Sequence, residues 1–213
     1  MDWFRAVNSY CERTGPGYWS EPLNAVTNAA FVVAGVLAWR LAAGDRGARL
    51  LAALLVAIGV GSYLFHTHAQ VWAAFADVVP IQIFILLYLG LATVRFFALP
   101  WWAGVLAAVL FLPFAALVAR TATAAFGPLN GSVGYLPVPL LVAGYAAALR
   151  RRAPGTARGL LAGAALLAAS LFFRTVDRAV CADFPLGTHF LWHLLNAVML
   201  WWMVRVLVRH RAG

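Results

Sequence analysis

Apolar runs at residues 23–43, 49–66, 74–94, 98–118, 134–149, 158–176 and 187–208, each closed by charges or Gly/Pro turns, leave little chain for anything else. Their lengths match the roughly 20 residues an α-helix needs to cross a bilayer. The chain therefore reads as all-α, an integral membrane bundle of seven transmembrane helices forming one domain over 1–213, with 1–22 ahead of the first span and 23–208 holding the spans. Composition agrees, since 64% of the residues are hydrophobic, 11% are charged and the mean hydropathy is +0.84, far from a soluble average. The fifth run carries Pro137 and Pro139 near its start, where a helix tolerates proline. No internal repeat is visible.

The net charge of +9 does not point to nucleic acid, because the arginines lie in short loops between apolar runs and form no patch on a soluble fold. Arg40, Arg46 and Arg49 follow the first span, Arg95 the third, Arg150, Arg151, Arg152 and Arg158 the fifth, and Arg205, Arg209 and Arg211 close the chain. By the positive-inside rule these loops are cytoplasmic, so the N-terminus is outside and the C-terminus inside. The first twenty residues lack the basic-then-apolar order of a cleavable leader, so the mature chain is expected to start at Met1. Trp3, Phe4, Val7 and Tyr10 recur at helical spacing and predict a short helix on the bilayer surface.

Ionisable groups at membrane depth are expensive and usually mark a site. In "GSYLFHTHAQVWAAFADVVP", residues 61–80, Ser62, His66 and Asp77 sit between two of the most apolar runs. His66 ends the second span, Asp77 opens the third, and "HFLWH" opens the seventh, which places His189 and His193 at the same outer depth. Imidazoles at i and i+4 share one helix face and can bind one metal. With His66 as a third ligand the set matches a catalytic zinc, which keeps its fourth position open. Each residue also has a plain explanation: an interfacial histidine for His66, an N-cap of the third span for Asp77, a bond back to the Ile58 carbonyl for Ser62. His68 and His210 join no cluster and are expected at the interface. Cys11 and Cys181 both face the outside, where disulfides persist, with unpaired thiols as the alternative. Arg174, Asp177, Arg178 and Asp183 gather at the outer end of the sixth span, for ion pairing or contact with a polar headgroup.

Together, "GSxxFH" at 61–66, Asp77 eleven residues after His66, "HxxWH" at 189–193 and "YCE" followed by "ExxN" near the N-terminus resemble the alkaline ceramidase family of seven-helix zinc hydrolases, over about residues 8–205. The resemblance implies zinc ligands at His66, His189 and His193, an oxyanion-stabilising Ser62 and a general acid/base at Asp77. It implies a calcium site with Tyr10 (through its main-chain carbonyl), Glu12 and Glu21, although Ser9 and Thr14 stand where an Asp and an Asn are expected. Losing an anionic ligand weakens a calcium site. It also supports a Cys11–Cys181 bridge. The implied activity is hydrolysis of the amide of ceramide or a related N-acyl lipid to a fatty acid and a free amine, within the bilayer and without an obligate protein partner. A seven-helix zinc-containing lipid receptor or sensor is the alternative. A proton-coupled transporter fits less well, because the polar residues gather at one end and trace no path.

Overall fold

Helix ends fall where apolar continuity is lost. The structure is a computed structural model and describes residues 2–210, which form α-helices and two 3₁₀ turns with no strand among the described residues. The helices are α1 (Pro22–Thr27), α2 (Ala29–Leu41), α3 (Arg46–His68), α4 (Val71–Phe97), α5 (Trp101–Phe126), α6 (Pro137–Leu149), α7 (Pro154–Val176) and α8 (His189–Arg209). Proline opens α1, α6 and α7, where its missing N–H would have had no helical partner. Asp45 caps α3 by accepting the Ala48 N–H at 3.0 Å. Ala69 (φ 47°) and Ala98 (φ 53°) end α3 and α4 in the left-handed region, their N–H groups bonding back to the Phe65 and Val94 carbonyls.

Six helical segments are long and apolar enough to cross a membrane, with α1 and α2 running on as one, and α6 is a shorter apolar helix of 13 residues. The expected fifth run loses its start because 129–134 turns as a 3₁₀ segment through positive φ at Leu129, Asn130 and Gly131. The third run extends at both ends, to Val71–Phe97, and the fourth starts three residues late and extends at its end, as Trp101–Phe126.

The predicted surface helix at the N-terminus is absent. Residues 3–7 run as a turn and then a bridging segment along the turn between α3 and α4, with Val7 donating to the Ala69 carbonyl (2.8 Å), Val71 to that of Arg5 (3.2 Å) and Trp72 to that of Trp3 (3.0 Å). Pairing with this turn satisfies backbone groups that a surface helix would have satisfied internally. Trp3 packs on Phe75, and Tyr10 turns into the interior against Phe65.

Each helix from α2 to α8 packs on its successor, and α8 returns to α2, closing a ring. Between membrane helices burial displaces lipid rather than water, so close packing has to supply the attraction. Small residues on α3 and α2 provide it: Gly35 sits against Val56, Gly59 against Asn28 and Phe31, and Gly61 against the carbonyl of Ala76. That last contact has a cause in α4. Pro80 has no N–H to offer Ala76 four residues earlier, so the carbonyl is free of the helical ladder and faces α3. By contrast, α5 is mostly exposed and its contact with α6 is the thinnest in the ring. A gap between α4 and α8 follows on this side.

At the end of the bundle carrying Arg95, that residue holds Asp45 by a two-pronged ion pair. The Arg95 hydrogen bonds keep the Asp45 carboxyl below the ordinary carboxylate range, so the pair's stabilisation is complete above about pH 4 and is lost as pH falls through the lower folded value. Asp45→Asn should therefore cost about 1 kcal/mol at pH 7, a difference that shrinks as pH falls below about 4. Thermal denaturation of both proteins across that range checks it; a difference independent of pH would contradict the pairing.

Candidate metal centre

His66 is delivered by the last turn of α3, and His189 and His193 by the first two turns of α8. All three side chains are at most 1% exposed, with ring centroids 5.2 Å (His66–His189), 4.7 Å (His66–His193) and 4.6 Å (His189–His193) apart. One ligand nitrogen from each lies within 4.8 Å of the others, a grouping that could hold one metal ion.

The hydrogen bonds select which nitrogens are available. His66 Nδ1 lies 2.6 Å from Glu21 Oε2 and donates to it, leaving the lone pair on Nε2. The Thr27 hydroxyl gives its own proton to the Leu23 carbonyl (2.8 Å) and so accepts from His193 Nδ1 at 3.0 Å, again leaving Nε2 bare. His66 Nε2, His193 Nε2 and His189 Nδ1 are all buried without a hydrogen-bond partner. Each such group costs about 1–3 kcal/mol. Three of them converging describe a site shaped for an electrophile, with carboxylate and hydroxyl partners fixing the imidazoles as they do behind metal-bound histidines.

Asp177, placed by the sequence only within a charge cluster, organises the start of α8. Its Oδ1 accepts the N–H groups of Thr188 (2.7 Å) and His189 (2.9 Å), and its Oδ2 accepts that of Cys11 (3.0 Å). The expected ion pairs with Arg174 or Arg178 do not form, since both carboxylate oxygens are committed to backbone donors. Gly187 (φ 64°) passes so close to Asp177 and Cys11 that a Cβ there would clash. Arg174 instead donates to the Tyr10 hydroxyl (2.6 Å) and lies over the rings of Tyr10, Tyr135 and Trp192. Tyr10 in turn stacks on His189 with centroids 3.5 Å apart.

Cys11 and Cys181 form a disulfide. It closes 170 residues of chain, for which the chain-entropy model gives about 5 kcal/mol. Helices that stay inserted in lipid shorten the effective loop, so about 2–4 kcal/mol is the better expectation. Reduction should lower the melting temperature by several degrees and expose two thiols to labelling; two reactive thiols before reduction would contradict the bridge.

The remaining predicted residues divide. Ser62 and Asp77 line one cavity together with His193, brought side by side by the Gly61–Ala76 contact. Asp77 caps nothing: α4 starts at Val71 with Gln70 as its N-cap, so Asp77 lies in the second turn. Glu12 and Glu21 have other partners. Glu12 accepts the Leu23 and Asn24 N–H groups at 2.7 and 2.8 Å, and burial raises its carboxyl above the usual range. Burial works against the charge of Glu21 too, but the His66 bond and then Arg13 outweigh it and hold that carboxyl low. Arg13 and Thr27 were missed from sequence; the signal for Thr27 was a polar stripe, Asn24, Thr27 and Asn28, in an otherwise apolar run.

From Ser62, Asp77 and His193 the cavity runs between α4 and α8 past Tyr135 and Trp192 to Phe96, Leu160 and Met203. From His193 to Met203 it follows α8 for about 15 Å. Beyond its polar mouth the lining is almost wholly apolar. Compared with known proteins, the chain matches no family model and no curated sequence.

Proposed function

We propose that the protein is a zinc-dependent intramembrane amidase that hydrolyses ceramide or a related N-acyl lipid to a fatty acid and a free amine. The observation carrying this reading is the triad of unpartnered, buried imidazole nitrogens, one of whose members, His193, lines a long apolar cavity together with a carboxylate and a hydroxyl. A structural metal site has no use for an acid/base beside it, nor for an acyl-sized tunnel. His66, His189 and His193 hold the ion. Zinc, when bound, supplies Lewis acidity toward water and a carbonyl.

The chain's own groups do the rest. The apolar lining from Phe84 to Met203 accepts the acyl chain and keeps bulk water from the amide. Asp77 takes a proton from the attacking water and returns it to the leaving nitrogen, so one carboxylate serves as base and then as acid. Ser62 donates a hydrogen bond to the oxygen on which negative charge develops. Glu21 and Thr27 accept hydrogen bonds from the far sides of His66 and His193 and orient both rings.

Seven crossings with the site toward the outer face complete the reading. Residues 129–149 pass from the site end, where Asn130 donates to the Arg174 carbonyl at 2.9 Å, to the opposite end, where Ala153 donates to the Leu149 carbonyl at 2.8 Å. The 3₁₀ turn and α6 thus cover the distance together. The arginine-rich loops lie at the opposite end, which the positive-inside rule makes cytoplasmic. The test is zinc content of the purified protein measured with fatty-acid release from ceramide and from other N-acyl lipids. Zinc at one equivalent without release from any of them would favour the receptor alternative.

A further inference from the structure

The N-terminal segment does not fit calcium. That ion takes six to eight oxygens, several of them carboxylate. Here all four carboxylate oxygens of Glu12 and Glu21 already accept hydrogen bonds: from the Leu23 and Asn24 backbone on Glu12, from Arg13 on Glu21 Oε1, and from His66 and the Asn24 side chain on Glu21 Oε2. Ser9 and Thr14 add no charge.

A cation is nevertheless present. Arg13 is 7% exposed, and its guanidinium is surrounded by oxygen: Nε donates to Glu21 Oε1, Nη1 lies 3.1 Å from the Gly15 carbonyl and 3.5 Å from that of Gly17, and Nη2 donates to the His66 carbonyl at 2.8 Å. One carboxylate and three carbonyls, drawn from the 15–17 loop, the start of α1 and the last turn of α3, are the kind of donor set that would otherwise gather round a metal ion. The His66 carbonyl is also one of those a helix leaves unpaired at its C-terminal end, where the dipole favours positive charge.

We propose that Arg13 is a built-in substitute for calcium, a covalently retained cation that orders the N-terminal segment and positions His66 through Glu21. Glu21 bridges the two, with Oε1 on the guanidinium and Oε2 on the His66 ring, so its orientation depends on Arg13. A divalent ion added beside a guanidinium that already occupies these oxygens meets both repulsion and a lack of ligands. The segment is therefore ordered without calcium, and Arg13 is a positioning residue that touches no reacting atom.

The experiment uses the full chain in detergent micelles, with CaCl2 and ZnCl2 as probes. Calorimetric titration of the parent protein should show no saturable calcium uptake, and its melting temperature should be the same in calcium-free buffer and in millimolar CaCl2. Arg13→Asn should melt lower and regain part of the loss with CaCl2, because the vacated oxygens then face an empty, anionic cage. Zinc affinity in Arg13→Asn should fall by about 10–100-fold, the usual cost of disturbing a partner behind a ligand. Arg13→Lys, which keeps the charge without the fork, should recover most of it. Saturable calcium binding by the parent overturns the proposal, and this arm stands whether or not the histidines bind zinc or Arg13→Asn folds. Unchanged zinc affinity in a folded Arg13→Asn overturns the positioning role. That arm rests on the zinc reading, and the parent's own zinc content shows separately whether that reading has failed.

Discussion

Alanine at His66, His189 or His193, one at a time, is expected to abolish stoichiometric zinc and all fatty-acid release. Two imidazoles cannot replace three in a site whose remaining position must stay open to water and substrate. The three variants should differ without metal. His66→Ala also strips Glu21 of a charge-assisted hydrogen bond worth about 1.5–3 kcal/mol, whereas His189→Ala removes a nitrogen that has no partner. Metal-free His66→Ala should therefore melt lowest of the three. Elemental analysis and thermal denaturation read both effects, and full zinc occupancy in His189→Ala would sink the ligand assignment.

Asp77→Asn is expected to keep zinc and substrate affinity while losing at least 10²–10⁴-fold in turnover, since an amide cannot accept a proton from water and the same group serves twice. No folding role masks the effect, because Gln70, not Asp77, opens α4. Ser62→Ala should be milder, with about 10²–10³-fold lost for a single oxyanion donor while the ion continues to carry charge. Measuring zinc, affinity and turnover in both variants separates the roles. Near-parental turnover in Asp77→Asn with zinc intact would remove the acid/base from the mechanism.

Much of this was legible because membrane helices write their limits in composition. Six of the seven apolar runs became long helices, since lipid leaves each backbone no partner but itself. The i, i+4 spacing of His189 and His193 needed only helix geometry, and their meeting with His66 needed only a count of crossings. What stayed hidden depends on partners distant in sequence. Trp3, Phe4 and Val7 have helical spacing, but Trp3 and Val7 pair through their backbone with Trp72 and Ala69, which no local pattern reveals. Glu21 stands out as an acid, but nothing nearby says that it faces His66 45 positions later. Asp177 looked like one of a charge cluster, yet its partners are amides of Cys11, Thr188 and His189.

The disulfide and the Asp177 bonds join residue 11 to residues 177–189, and the histidine triad joins α3 to the final helix. A nascent chain emerges N-terminus first, so for most of its synthesis His66 waits with neither of its two companions, and Cys11 waits without a mate. The centre can be completed only after α8 has been inserted. A chain truncated before His189 would carry the cavity's first walls and no centre at all. Any ion that all three histidines hold together is then acquired only once α8 has joined the bundle.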